Sequence, residues 1–249
     1  MLLDAHVHID KYKIDSMFEI KRLCQMQDIK LLGVSMNIPS YLNILKLSDK
    51  YDFIIPSFGI HPWEAHKYCN NLEKIDEYLA SSQYIGEIGL DKKFFEYASP
   101  YSDQEKVFDY ILSNKATKNK LLNLHTSGAE SEVLSYLEKY KHSKFIIHWY
   151  AGPLELIDKY LNLGGYFTLG VEILFSNSIV EIAKRIPIDR ILLETDGPYS
   201  YSWLKGLDNN NDDMPDLLYK VAKKVSEIKG LSSKRLYQQL EYNQVKILS

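Results

Sequence analysis

Eight short apolar runs are each followed by a segment with helical spacing, and this alternation constrains the chain more than any other feature. The runs are Leu2–His8, Leu31–Met36, Phe53–Ile60, Tyr84–Leu90, Lys120–His125, Lys144–His148, Gly165–Gly170 and Arg190–Thr195. Between them lie helical segments such as Lys11–Gln27, with helical apolar spacing through Ile14, Met17, Phe18 and Leu23, and Leu72–Ala80, with Leu72, Ile75 and Leu79 on one face. A strand buried on both faces reads as a continuous apolar run, and parallel strands need a crossover helix between them. Eight such units in 249 residues predict an α/β chain folded as a single-domain (β/α)8 TIM barrel over residues 1–249. An open doubly wound sheet would need a Gly-rich phosphate turn after an early strand, and none is present. The chain closes with helices at Pro215–Ile228, ended by Gly230, and from Ser232 onward, where Ser232 is the expected N-cap.

Composition narrows the class of partner. Apolar residues make up 45% of the chain and net charge is −3, so no global basic field advertises nucleic acid, and any phosphate recognition must be local. Cys24 and Cys69 do not make a disulfide scaffold. No apolar run approaches the roughly 20 residues of a membrane span, and the N-terminus lacks the pattern of a signal peptide. The expectation is a soluble cytoplasmic protein that does not meet a membrane.

In a barrel of this kind function sits beyond the C-terminal ends of the strands. His6 and His8 are two apart on the first strand, so their side chains share a face. Glu87 lies in the fourth strand, with Asp91 four residues on. His125 ends the fifth strand, His148 the sixth, and Asp196 follows the eighth. Each residue alone is compatible with a hydrogen-bonded core or rim position. Four imidazoles and two carboxylates gathered at one end of a barrel are costly to bury, and a divalent cation offsets that cost for all of them together.

The runs DAHVH (4–8), GIHPW (59–63), GEIGLD (86–91), LHTSG (124–128), IHWYAG (147–152) and ETDGPY (194–199) resemble, in order and spacing, the TatD family of metal-dependent deoxyribonucleases in the amidohydrolase superfamily. The resemblance implies a site for two divalent metal ions. His6, His8 and Asp196 would hold one, His125 and His148 the other, and Glu87 would bridge both. Related barrels often bridge with a carbamylated lysine on the fourth strand, where this chain has Glu87. Two ions about 3.5–4 Å apart can share a hydroxide, lower its pKa and clamp a phosphoryl oxygen. Asp196 is then the general-base candidate as well as a ligand, the purely ligating role remaining open, and Glu87 is the second catalytic candidate. An imidazole-rich donor set suits zinc, manganese or iron over magnesium, although availability can override affinity; zinc, manganese and magnesium stay open as cofactors.

Substrate contacts are expected from His61, Lys92, Lys93, Trp149 and Tyr150, with Trp63, Phe94, Phe95, Tyr199, Tyr201 and Trp203 as rim aromatics on which bases of a single strand could stack. His66 and His142 are expected at the surface. The chain departs from the family pattern at Ser127, Tyr150, Gly197 and in Asp212-Asp213-Met214-Pro215, none of them an expected ligand. The long KGLDNNNDD connection (205–213) is of the kind that is functional or mobile. The leading expectation is a DNase cleaving phosphodiester bonds, as a 3′-end exonuclease or a single-strand DNase. The alternatives are a hydrolase of another ester, phosphoester or amide on the same metals, and a partner-dependent nuclease subunit of a bacterial defence system.

Overall fold

The structure is a computed structural model that describes residues 1–94, 97–207 and 214–249. Phe95 and most of the KGLDNNNDD segment lie outside the described residues. The strands are β1 (Leu2–Val7), β2 (Ile29–Val34), β3 (Ile54–Phe58), β4 (Tyr84–Gly89), β5 (Leu121–His125), β6 (Phe145–Ile147), β7 (Tyr166–Leu169) and β8 (Ile191–Leu193). The helices that follow them are α1 (Ser16–Gln27), α2 (Ile38–Ser48), α3 (Asp76–Ser81), α4 (Tyr101–Ser113), α5 (Glu130–Tyr140), α6 (Leu154–Asn162) and α7 (Asn177–Arg185). After β8 come α8 (Ser200–Lys205), α9 (Leu217–Lys229) and α10 (Ser233–Leu248). The strands close in the order β1 to β8 as a barrel, the architecture expected from the alternation. Contacts group the chain into two compact units, one of residues 1–33, 44–55 and 167–249, the other of residues 34–43 and 56–166.

In the first unit, parallel pairing sets Asp4 beside Leu31 on β2 and beside Leu193 on β8. This register brings the ends of β1 and β8 to one level. The Asp196 amide donates to the His6 carbonyl at 3.0 Å and the His8 amide to the Gly197 carbonyl at 3.1 Å. α1 differs from its expected face. A 3-10 turn occupies Ile9–Lys11, the helix starts at Ser16, and it buries Met17, Ile20, Leu23 and Cys24. Ile14 and Phe18 stand 87% and 78% exposed. Both stripes obey helical spacing, and the docking direction of the helix chose between them. Ser232 caps α10 as expected, its Oγ accepting from the Arg235 amide, and Gly230 ends α9 with φ +61°.

In the second unit, β3 to β6 pair in sequence, with Phe58 beside Ile85, Gly89 beside His125, and Leu124 beside Ile147. Two glycines make the pairing possible. A Cβ at Gly59 would stand 2.2 Å from the Glu87 carbonyl oxygen, and one at Gly89, where φ is +151°, would stand 2.0 Å from that of His125. Only a residue without Cβ permits these approaches. The segment expected as one helix at Leu72–Ala80 is split into a 3-10 turn (Leu72–Ile75) and α3. His66 is exposed, but His142 is not a surface residue. It is 2% exposed and its Nε2 bonds the Leu112 carbonyl at 2.9 Å. The sequence around it is polar, and only the packing of the α5–β6 connection against the end of α4 encloses it.

Gly89→Ala should destabilise the protein by about 1–3 kcal/mol, the usual range for forced overpacking. An unchanged urea midpoint would show that the strand ends can part to admit a methyl group. Burial lowers the His142 pKa from its ordinary 6.5. The unfolded chain therefore takes up a proton first as pH falls, and this contribution to stability, present above the unfolded value, is lost on acidification through the lower folded one. His142→Gln should flatten the fall in stability between about pH 7.5 and pH 5.5; an identical slope in the variant would exclude His142 as its source.

Candidate metal centre

In the first unit, β1 presents His6 and His8 and the turn after β8 presents Asp196. The two imidazole rings are 5.3 Å apart and nearly perpendicular, and each Nε2 lies 3.6 Å from the same oxygen, Asp196 Oδ1. That spacing is too long for a hydrogen bond. It is the spacing of donors sharing one cation, since ligands about 2.1 Å from a tetrahedral ion are about 3.4 Å from each other. Asp196 reaches this position with φ +49°, a left-handed backbone unusual for a non-glycine residue.

Beneath these ligands lies Asp4, fully buried. Its Oδ1 accepts from the amides of His6 (3.3 Å) and Thr195 (3.0 Å), and its Oδ2 from the Thr195 hydroxyl at 2.5 Å. Burial pushes its carboxyl up to about 8, against the Thr195 and His6 bonds that favour the charge. Asp4 thereby fastens the end of β1 to the end of β8. Glu194 is also fully buried, and one of its oxygens lies within 4.8 Å of a His6 ring nitrogen. Neither acid was expected as part of the site. Their signal was present as charge inside otherwise apolar strands.

In the second unit, Glu87 Oε1 is the common point. His148 Nε2 stands 2.8 Å from it, His125 Nδ1 2.9 Å and His61 Nε2 3.3 Å, and the His125 and His148 nitrogens are 3.1 Å apart. His61 Nδ1 accepts from the Trp63 amide at 3.1 Å, so its proton sits on Nε2 and it meets Glu87 as a donor. His61, Glu87 and His125 also bring donor atoms within 4.8 Å of one another, so His61 stands close enough to join a cation site. His125 Nδ1 and His148 Nε2 converge on one carboxylate oxygen, a set of nitrogen and carboxylate donors that could hold a divalent metal ion.

Asp91 is buried beside this group and receives four hydrogen bonds. His125 Nε2 and Trp63 Nε1 both reach Oδ2 at 2.9 Å, and the amides of Lys93 (2.8 Å) and Phe94 (3.0 Å) reach Oδ1. Burial alone would raise its pKa, but the His125 bond and the other donors hold it down to about 2. Burial likewise pulls His125 down, and its bonds to Asp91 and Glu87 prevail, leaving it above the ordinary imidazole value.

The expected substrate contacts fare unevenly. Lys93 is exposed. Lys92 is engaged with Glu132 and lies 4.8 Å over the Tyr101 ring. Trp149 is half-buried with φ +40°. Tyr150 is a packing residue and not a rim contact: it is 2% exposed, its hydroxyl donates to the Pro153 carbonyl at 2.6 Å, and its ring meets Tyr160. Its neighbour in the motif, Trp149, lies in the turn that follows β6. Trp63 packs with Phe94 and Tyr97, and Tyr97 is 66% exposed. In the first unit Tyr199 and Trp203 are 39% and 58% exposed on and beside α8, a helix the sequence did not suggest.

A family model described as TatD-related DNase matches residues 3–249. Among curated relatives, YabD of Bacillus subtilis is 27% identical, with 93% of this chain and 92% of its own length aligned, and YcfH of Escherichia coli is 26% identical, with 95% and 91% aligned. Both carry the name uncharacterized metal-dependent hydrolase. Of solved structures, the TatD homologue YjjV from Escherichia coli superposes with a TM-score of 0.84 at 20% identity, over 99% of this chain and 97% of that one. A TatD-family hydrolase from Entamoeba histolytica gives 0.84 at 17% identity, over 99% and 97%. The barrel, the strand-end histidines and acids, and a family match over nearly the whole length lead to one conclusion: the chain belongs to the TatD-related DNase family.

Proposed function

We propose that this protein is a metal-dependent hydrolase that cleaves phosphodiester bonds in DNA, acting on single strands or 3′ ends. The observation that carries the reading is the pair of donor groups. His6 and His8 focus on Asp196 Oδ1 at the spacing of ligands around one cation, and His125 and His148 converge on Glu87 Oε1 at hydrogen-bond distance, gathering nitrogen and carboxylate donors at one point. Divalent cations bound there would supply an activated water and a clamp for phosphoryl oxygens. Asp196, one-fifth exposed, can take the proton of the attacking water. His61 offers an Nε2–H donor at the edge of the second group, suited to a phosphoryl oxygen or the leaving oxygen. Lys93 is an exposed cation in the second unit, and Tyr199 and Trp203 are exposed rings in the first, groups of the kind a nucleic-acid backbone and its bases would meet.

A second reading has specific support. Lys92 is already paired with Glu132 and Tyr150 is buried, so two of the contacts expected for a polynucleotide are committed elsewhere. That favours a smaller phosphoester or ester as the substrate. End-labelled single-stranded and duplex DNA, incubated beside small phosphoesters with metal-loaded protein, decides between the readings. A ladder shortening from one end supports the nuclease, and turnover confined to the small esters supports the alternative.

Asp196→Asn should lower kcat by at least about 10²-fold, the low end for loss of a general base, with the fold retained by circular dichroism. Glu87→Gln should be as severe but should also lower metal content. Loss of both equivalents would assign Glu87 to both cations, as the family resemblance implies. Near-normal turnover with full metal in Asp196→Asn would remove it from the mechanism. Trp203→Ala and Lys93→Ala should each raise KM for single-stranded DNA more than they lower kcat, with a shallower salt dependence for Lys93→Ala. Unchanged kinetics in both variants would place substrate away from these residues.

A further inference from the structure

We propose that Asp91 is a positioning residue that fixes the tautomer of His125, so that His125 meets its cation through Nδ1 with Nε2 carrying the proton. The inference rests on the metal-centre reading above and concerns which nitrogen serves it. Among the described residues, every group bonded to the Asp91 carboxylate is a donor. The amides of Lys93 and Phe94 occupy Oδ1, and the Trp63 indole N–H occupies Oδ2. None of these three can accept, so the carboxylate is held as an ionised acceptor. His125 Nε2, 2.9 Å from that same Oδ2, must then be the N–H end of the ring.

The other nitrogen follows. With a cation bound the ring is neutral, and an imidazole with its proton on Nε2 directs its lone pair from Nδ1, the atom 2.9 Å from Glu87 Oε1 and 3.1 Å from His148 Nε2. The reverse tautomer would set a lone pair against the Asp91 anion and an N–H where the other donors of the site converge. The backbone of Asp91 is itself anchored, because its amide donates to Gln104 Oε1 at 2.8 Å and Gln104 Nε2 donates to the Ser99 carbonyl at 2.8 Å. Gln104 lies on α4 and is 1% exposed, so the backbone that carries the carboxylate cannot shift without breaking a buried link. A carboxylate bonded to the far nitrogen of a ligating histidine also raises the basicity of the near one. The same Oδ2 holds Trp63, whose ring packs with Phe94 and Tyr97, so one side chain fixes both a ligand and the aromatic residues beside it.

The test uses the full chain loaded with zinc, with long-range proton–nitrogen correlation of the imidazoles and competition against a chelating dye. His125→Asn identifies the His125 signals. Wild-type protein should show His125 with a protected Nε2–H and a metal-shifted Nδ1. Asp91→Ala should lose the protected proton and bind zinc about 10–100-fold more weakly. Asp91→Asn, whose oxygen can still accept from Nε2–H, should recover part of both. Trp63→Phe, which removes a different donor from the same oxygen, should leave the tautomer as in wild type; this separates positioning of His125 from general loosening of the loop. Zinc bound through Nε2 of His125 in wild type, or Asp91→Ala with the wild-type tautomer and affinity, would overturn the inference alone. Absence of zinc binding by the wild-type protein would overturn the metal reading and this inference with it. If Asp91→Ala does not fold, the wild-type and Asp91→Asn spectra still decide.

Discussion

Charge buried at the ends of strands has to be compensated where it lies, and the local structure of this protein is arranged around that requirement. Asp4, Glu87, Asp91 and Glu194 are all at most 1% exposed. A carboxylate removed from water without partners costs several kcal/mol, and these are met in different ways. Asp91 is compensated by donors from four described residues, which hold its pKa down to about 2. Asp4 receives three bonds and is still pushed up to about 8, because burial outweighs them. Glu87 is compensated by imidazoles, groups that can hand over to a metal without moving far. The difference separates acids that build the site from acids that serve as ligands.

Backbone constraints deliver those side chains. Asp196 and Trp149 adopt positive φ immediately after strand ends, at +49° and +40°, where a non-glycine residue is strained by of order 1–3 kcal/mol. Each adjoins or is itself a residue of the metal centre. Gly59 and Gly89 remove Cβ atoms where the backbones of neighbouring strands nearly touch at Glu87 and His125. Strain at two positions and missing side chains at two others set the ligand directions, while the ladder hydrogen bonds set their height along the strands.

Much of this was legible in the chain. The alternation of apolar runs and helical spacing predicts the barrel because parallel strands buried on both faces must be apolar throughout and must be separated by crossovers. The strand-end positions of His6, His8, Glu87, His125, His148 and Asp196 follow once the strands are assigned, since period two then fixes their faces. What misled was local pattern with two solutions. α1 carries two stripes of helical spacing, and Phe18 belongs to the one left outside. Tyr150 and Trp149 are adjacent aromatics of one motif, yet only Tyr150 is swallowed by packing against Tyr160. His142 sits in a polar run and is buried by its neighbours.

The sequence by itself determined the order of elements, the residues that reach the strand ends and the family to which they belong, because period and spacing are properties of the chain. Tertiary structure alone decided what those residues do to each other. The proton of His61 is placed on Nε2 by a backbone amide two residues on, and Lys92 is claimed by Glu132, forty residues away. Asp91 gathers donors from positions 63, 93, 94 and 125. Hydrogen-bond direction and charge compensation depend on separations of about 3 Å between groups distant along the chain, and no pattern within a strand or helix encodes them.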